Sequence, residues 1–224
     1  MKRFFYLLIL VLACGCALQK TQAQFSLGFS VGPQYAVPYI THTEGKSDVK
    51  SGWGFNAGLV ACSGDDRLVS FRGLLNYSLQ NDTIELKYLG GSSYGGNLKG
   101  SYWMSNILFS PQLSFNLLKN KNMFIAIGPF MQYMVYASGK GTYSDGYWGG
   151  TPFSGKSSDI FNKFNWGGGL SFGCQKIKVG KVNLSMELRE LMTVQSLLKE
   201  DLTNAEWLTA TTSLTVGIEF YRGK

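Results

Sequence analysis

Between Tyr102 and Tyr136 the chain alternates bulky apolar side chains with small or polar ones, residue by residue, over two long runs joined by a polar turn, Leu118–Asn122. In the first run Ile107, Phe109, Pro111, Leu113, Phe115 and Leu117 share one face; Asn106, Leu108, Ser110, Gln112, Ser114 and Asn116 share the other. In the second, Ile125, Ile127, Pro129, Met131, Tyr133 and Val135 alternate with Ala126, Gly128, Phe130, Gln132, Met134 and Tyr136. A period of two held for about ten residues or more per strand exceeds what an ordinary hairpin needs and suits a tilted strand that crosses a bilayer.

The rest of the chain repeats this unit. Phe25–Tyr35, Gly52–Cys62, Arg67–Gln80, Phe161–Lys176, Lys181–Thr193 and Thr209–Tyr221 carry the same alternation. The connections run long and short by turns. Ala36–Ser51, Asn81–Ser101, Ala137–Ile160 and Val194–Leu208 are long, whereas Ser63–Asp66, Leu118–Asn122 and Ile177–Gly180 are short. Thr83–Leu89 continues the alternation beyond its strand, and Val194–Leu208 has room for a helical turn or two. The pattern predicts an all-β chain, an eight-stranded antiparallel up-and-down transmembrane β-barrel with its long loops outside.

Alternation alone does not say which face looks outward. A soluble barrel turns its apolar face inward and needs Lys, Glu and Asp outside for solubility. Here the polar face is mostly Gly, Ser, Asn, Gln and Thr, and only 16% of the chain is charged. Glycine is high, at 28 residues, and so are the aromatics, with 15 Phe, 12 Tyr and 5 Trp. Small uncharged residues suit a narrow, filled lumen, and the nearly charge-free bulky face suits hydrocarbon. Tyr35, Trp53, Trp103, Tyr133 and Trp166 fall at the long-loop ends of their strands and Trp207 lies just before the last strand, as an aromatic girdle at one interface would.

Met1–Ala23 has the parts of a secretory signal: Lys2 and Arg3, the apolar run Phe4–Ala13, and Thr21-Gln22-Ala23 before Gln24. The expected organisation is a signal peptide over 1–23 and a barrel domain over 24–224, exported by the Sec route to a Gram-negative outer membrane. An uncleaved anchor and a lipidated Cys14, after Val11-Leu12-Ala13, are the alternatives. Removing 1–23 takes away Lys2, Arg3 and Lys20 and no acid, so the formal charge falls from +7 to +4. That charge is too small and too dispersed to argue for a nucleic-acid partner, and none is expected. Cys62 and Cys174 remain, as two small apolar thiols or as a pair.

Four charged residues fall on the inward face: Arg72, Glu187, Arg189 and Glu219. A charge in a narrow barrel must be paired or hydrated. These residues are expected to form a network that plugs the lumen; a proton path, ion path or gate is the functional alternative. The only histidine, His42, lies in the first long connection with no nucleophile context, so no catalytic residue is assigned. His42, Glu44 and Asp48 are too loosely grouped for a metal site, and no cofactor is implied. The expected role is non-enzymatic, structural or interactive, through the outer loops. The expected partners are outer-membrane lipid and other envelope proteins.

Four segments carry a family likeness: the signal ending Ala23-Gln24, the opening Phe25–Gly32, Ser185–Arg189, and the closing Leu214–Phe220. In these the chain resembles the small outer-membrane β-barrel proteins of Bacteroidota, a family that includes PorT-like proteins. The resemblance implies an outer-membrane barrel. For PorT-like members it implies an accessory role in protein secretion and gliding. A small pore and a lipid A-modifying enzyme are the remaining alternatives.

Overall fold

The computed structural model describes residues 25–42, 46–63, 68–87, 97–117, 122–144, 151–156, 161–179, 182–197 and 205–221. The expected signal, 1–23, lies outside them. Ten strands follow in order: β1 (Phe25–His42), β2 (Lys46–Lys50), β3 (Gly52–Ser63), β4 (Val69–Lys87), β5 (Asn97–Asn116), β6 (Met123–Ser144), β7 (Thr151–Lys156), β8 (Phe164–Val179), β9 (Val182–Thr193) and β10 (Ala205–Tyr221).

Eight of them close a barrel. Each pairs antiparallel with its neighbours in the order β4-β3-β1-β10-β9-β8-β6-β5, and β4 pairs with β5 to complete the ring. The seam between β1 and β10 runs from Ser26 opposite Tyr221 to His42 opposite Ala205. The two short strands stand outside the ring, β2 on the far end of β4 and β7 on the far end of β6.

The long connections are shorter than the sequence suggests, because the strands run on past the bilayer. β1 continues to His42, β4 to Lys87 and β6 to Ser144; β5 starts at Asn97 and β10 at Ala205. His42 therefore ends a strand rather than sitting in a loop, and its side chain falls outside the described residues. The β5 and β6 extensions read as loop because 97–101 and 137–144 are rich in Gly, Ser and Lys. No helix occurs between β9 and β10 among the described residues, where 194–197 form bends.

The burial pattern fixes the facing. Leu27, Phe29 and Val31 on β1, Leu75, Tyr77 and Leu79 on β4, and Leu214, Val216 and Ile218 on β10 are exposed on the outer surface. The residues between them are buried in the lumen. A solvent-facing surface of this kind would be an aggregation site, whereas it is the surface hydrocarbon requires. The fold is a transmembrane β-barrel.

Two irregularities adjust the alternation. Between Ser105 and Asn106 the register with β6 shifts, so that Ser105 faces Tyr136 and Asn106 faces Met134. The extra residue turns Val135 and Tyr136 outward together, and the inward place that strict alternation gives to Tyr136 passes to Ala137. A second shift lies between Cys174 and Ile177, where Lys176 takes the left-handed φ of 59°. Cys62 and Cys174 are not joined in a disulfide; the first is buried in the lumen and the second half-buried on the outer side of β8.

Closure predicts heat-modifiability. In dodecyl sulfate the unboiled protein should migrate faster than the boiled one, because every barrel strand is paired on both edges. Equal mobility would contradict a closed ring.

Candidate functional site

The lumen is where the barrel concentrates its chemistry. Glu187 on β9 faces inward, and its carboxylate accepts from two guanidinium groups: Oε2 from Arg72 Nη2 at 2.6 Å and Oε1 from Arg189 Nε at 2.8 Å. All three side chains are at most 2% exposed. Arg189 is two residues from Glu187 on the same strand, so pleating puts both in the lumen, while Arg72 reaches across from β4. Its guanidinium also lies 4.2 Å from the centroid of the Phe124 ring, a contact that gains strength away from water.

Glu219, the fourth inward charge expected from the sequence, is buried on β10. It stands opposite Gly28 and Asn183, four residues along from Thr215, which faces Glu187. Ion pairs join Arg72 and Arg189 to Glu187.

Large side chains fill the remaining space against small ones. Phe130, Leu108 and Leu191 form one buried apolar cluster, and Val60, Cys62 and Leu74 another. The inward face of β8 carries three glycines that make room for them. A Cβ at Gly173 would lie 2.7 Å from the Phe124 ring, one at Gly167 2.7 Å from the Phe130 ring, and one at Gly169 2.7 Å from Leu191. On β3, Gly54 leaves space for Gln34 to lie across the strand and donate from Nε2 to the Leu79 carbonyl at 3.3 Å.

The end of the barrel with the long connections is covered from inside. Phe161, expected at the start of a strand, instead precedes β8 and turns inward. It is fully buried and meets Tyr102 edge-on, with centroids 5.5 Å apart. Leu197, between β9 and β10, is also buried. The two segments are tied together: Asn162 donates from its backbone N–H to the Leu197 carbonyl at 2.7 Å and from Nδ2 to the Ser196 carbonyl at 2.9 Å. No sequence periodicity marks these cap residues, because each is a single apolar side chain in a polar stretch.

The aromatic residues expected as a girdle lie as follows. Tyr35 and Trp53 are opposite one another on β1 and β3, with ring centroids 5.0 Å apart. Trp103 faces Asn81 and Ser138, Trp166 faces Met131, and Tyr133 faces Phe164. All five rings are exposed on the outer surface. Trp207 lies within β10 opposite Ile40 rather than before the strand, and its side chain falls outside the described residues.

Asp82 was not expected as a lumen residue. It lies on β4 opposite Tyr102, with its side chain inside the barrel. It is fully buried, takes a hydrogen bond from Gln80 Nε2 to Oδ2 at 2.5 Å, and has no partner for Oδ1. Its signal in the sequence is only the inward parity it shares with Ser78 and Gln80.

No family model matches the chain. No curated protein sequence matches it either. Among solved structures, the outer membrane protein OprG from Pseudomonas aeruginosa is 12% identical, covering 88% of this chain and 97% of its own, with a TM-score of 0.47. Neisserial surface protein A is also 12% identical over the same shares of the two chains, with a TM-score of 0.38. Ail, the attachment invasion locus protein of Yersinia pestis, is 14% identical over 87% of this chain and 98% of its own, with a TM-score of 0.37. No role passes to this chain from similarity at that level.

One outcome follows from the geometry. Glu187→Gln leaves two buried guanidinium groups without their shared carboxylate. It should lower the unfolding free energy in micelles by about 3–5 kcal/mol, measured by urea titration.

Proposed function

We propose that the chain is a non-enzymatic, non-conducting outer-membrane β-barrel whose role, structural or interactive, is carried by the rim that bears the strand extensions. The observation that carries this reading is the filled lumen. The Arg72–Glu187–Arg189 cluster and the Phe130–Leu108–Leu191 layer occupy it, and Phe161 and Leu197 cover one end. Eight strands leave a bore only wide enough for side chains, and here the side chains are large and mutually bonded.

The rim at that end supports the second half of the reading. β2 and β7 widen it into sheet that projects past the aromatic rings. In outer-membrane barrels this is the external side, and the short turns face the periplasm. Tyr35, Trp53, Trp103, Tyr133 and Trp166 would then mark the outer interface with lipid. The secretion-accessory reading has the family resemblance behind it and no further support among the described residues.

Planar bilayers test the proposal. The purified, refolded protein should add no unitary steps above the lipid background. Steady single-channel steps that persist in Phe161→Ala and grow in Glu187→Ala would overturn it, since they would locate a path through the lumen.

A further inference from the structure

We propose that Glu190 anchors a lipid on the outer wall of the barrel, its carboxyl accepting the N–H of a lipid whose acyl chain is amide-linked. Along β9 the even positions face outward, and Leu188, Met192 and Val194 are all exposed there. Glu190 stands in this row and is exposed as well. Its neighbours across the strands are Leu170 on β8, also exposed, and Thr212 on β10. The other acids with described side chains, Asp82, Glu187 and Glu219, are all buried inside the barrel.

The depth of Glu190 follows from the register. Val194 donates from its backbone N–H to the Trp166 carbonyl at 3.1 Å, at the level of the aromatic rings. Glu190 is four residues nearer the midplane, about 13 Å along the strand and about 10 Å in depth once a tilt of about 40° is allowed for. In the other direction its rung slopes up with the tilt, through Thr212 and Tyr35 to Trp53. The carboxyl thus lies under the aromatic level, in the upper hydrocarbon. It is held there: Oε2 accepts from the Thr212 hydroxyl at 3.0 Å, which keeps it from turning up to the water. Oε1 has no partner among the described residues.

An acid that faces hydrocarbon with an unmatched oxygen costs free energy, and its partner has to come from outside the chain. The exposed lysines among the described residues lie near strand ends, so a second copy brings no cation to this rung. Lipid remains. Where acyl chains join the headgroup, an ester-linked lipid has only carbonyl acceptors, whereas an amide-linked one has a donor.

The wall beside Glu190 has room for the chain that hangs from such a linkage. Gly168, diagonal to Glu190 across the β8–β9 ladder, faces outward, and a Cβ there would meet nothing within 4 Å. Trp166 and Leu170 stand two residues to either side, about 7 Å along the strand. That dent is too narrow for a helix, which is about 10 Å across, and suits one hydrocarbon chain. The site rests on the aromatic rings marking a lipid interface, and on nothing about which leaflet that is or what the rim does.

The test refolds the full chain into mixed micelles holding equal amounts of phosphatidylcholine and sphingomyelin. The two lipids share a headgroup, and only sphingomyelin has the amide N–H. Micelles have no sides, so the result is independent of the orientation and role proposed for the rim. Native mass spectra should show sphingomyelin retained about tenfold over phosphatidylcholine. Sphingomyelin with its free hydroxyl methylated keeps the amide and should be retained as well. Thr212→Val should weaken the preference. Glu190→Leu should retain the two lipids equally, with an unfolding midpoint in phosphatidylcholine no lower than the wild type's, because leucine suits the lipid face. Equal retention by the wild type would overturn the proposal, as would a preference that survives in Glu190→Leu or disappears with the methylated lipid. A dimer that is lost in Glu190→Leu, without any lipid preference in the wild type, would also overturn it and assign the carboxyl to a contact between copies.

Discussion

Hydrocarbon offers no hydrogen-bond partner to a peptide group, so a chain that crosses it with strands has to close. Closure here depends on the pairing of the first and last barrel strands, β1 with β10, which converts a sheet with two edges into a ring with none. The other features follow from it. The ring fixes the bore, the bore fixes how much side-chain volume fits inside, and strict alternation fixes which side chains those are. The places where alternation fails, at Val135–Tyr136 and at Lys176, are the places where the ring is locally irregular.

Filling that bore is a problem of matched volumes. β8 contributes almost no volume to the lumen through Gly167, Gly169 and Gly173, while β6 and β9 contribute Phe124, Phe130 and Leu191. Neither set makes sense alone. The glycines are sites of close approach rather than of unusual backbone, and the rings have no space without them. Arg72 then closes the packing by lying over Phe124 while it bonds Glu187. The charged groups are thus part of the same packed interior as the rings.

The fold was legible because membrane-spanning strands obey a period that single side chains cannot hide. The strand pattern around Leu113, Ile127, Leu170 and Leu214 is enough to count eight. Arg72, Glu187, Arg189 and Glu219 could be placed in the lumen by parity alone, but parity says nothing about reach. Which of them meet depends on the shear of the ring. The β4 extension was legible in the alternation of Thr83–Leu89, whereas Lys99, Lys140 and Ser154 read as loop, since pairing in water needs no apolar face. Phe161 and Leu197 were missed for a different reason. Each acts as an isolated residue whose burial depends on where its segment folds, and no window of sequence encodes that. Asp82 shares the inward parity of Gln80, yet its burial depends on the extensions that continue the wall of the barrel.

The seam between β1 and β10 has a kinetic meaning as well as a geometric one. It pairs the first described strand with the last, Ser26 with Tyr221 and His42 with Ala205, so its contacts have the greatest sequence separation in the molecule. Contacts of that kind form slowly, because most of the chain must be ordered before they can. Hairpins such as β5–β6 can form locally, but the last ladder waits for both ends of the barrel. Until then β1 and β10 each present an unpaired edge. The stage of assembly most exposed to error is therefore the meeting of the two terminal strands, and a helper that held either edge would act at that step.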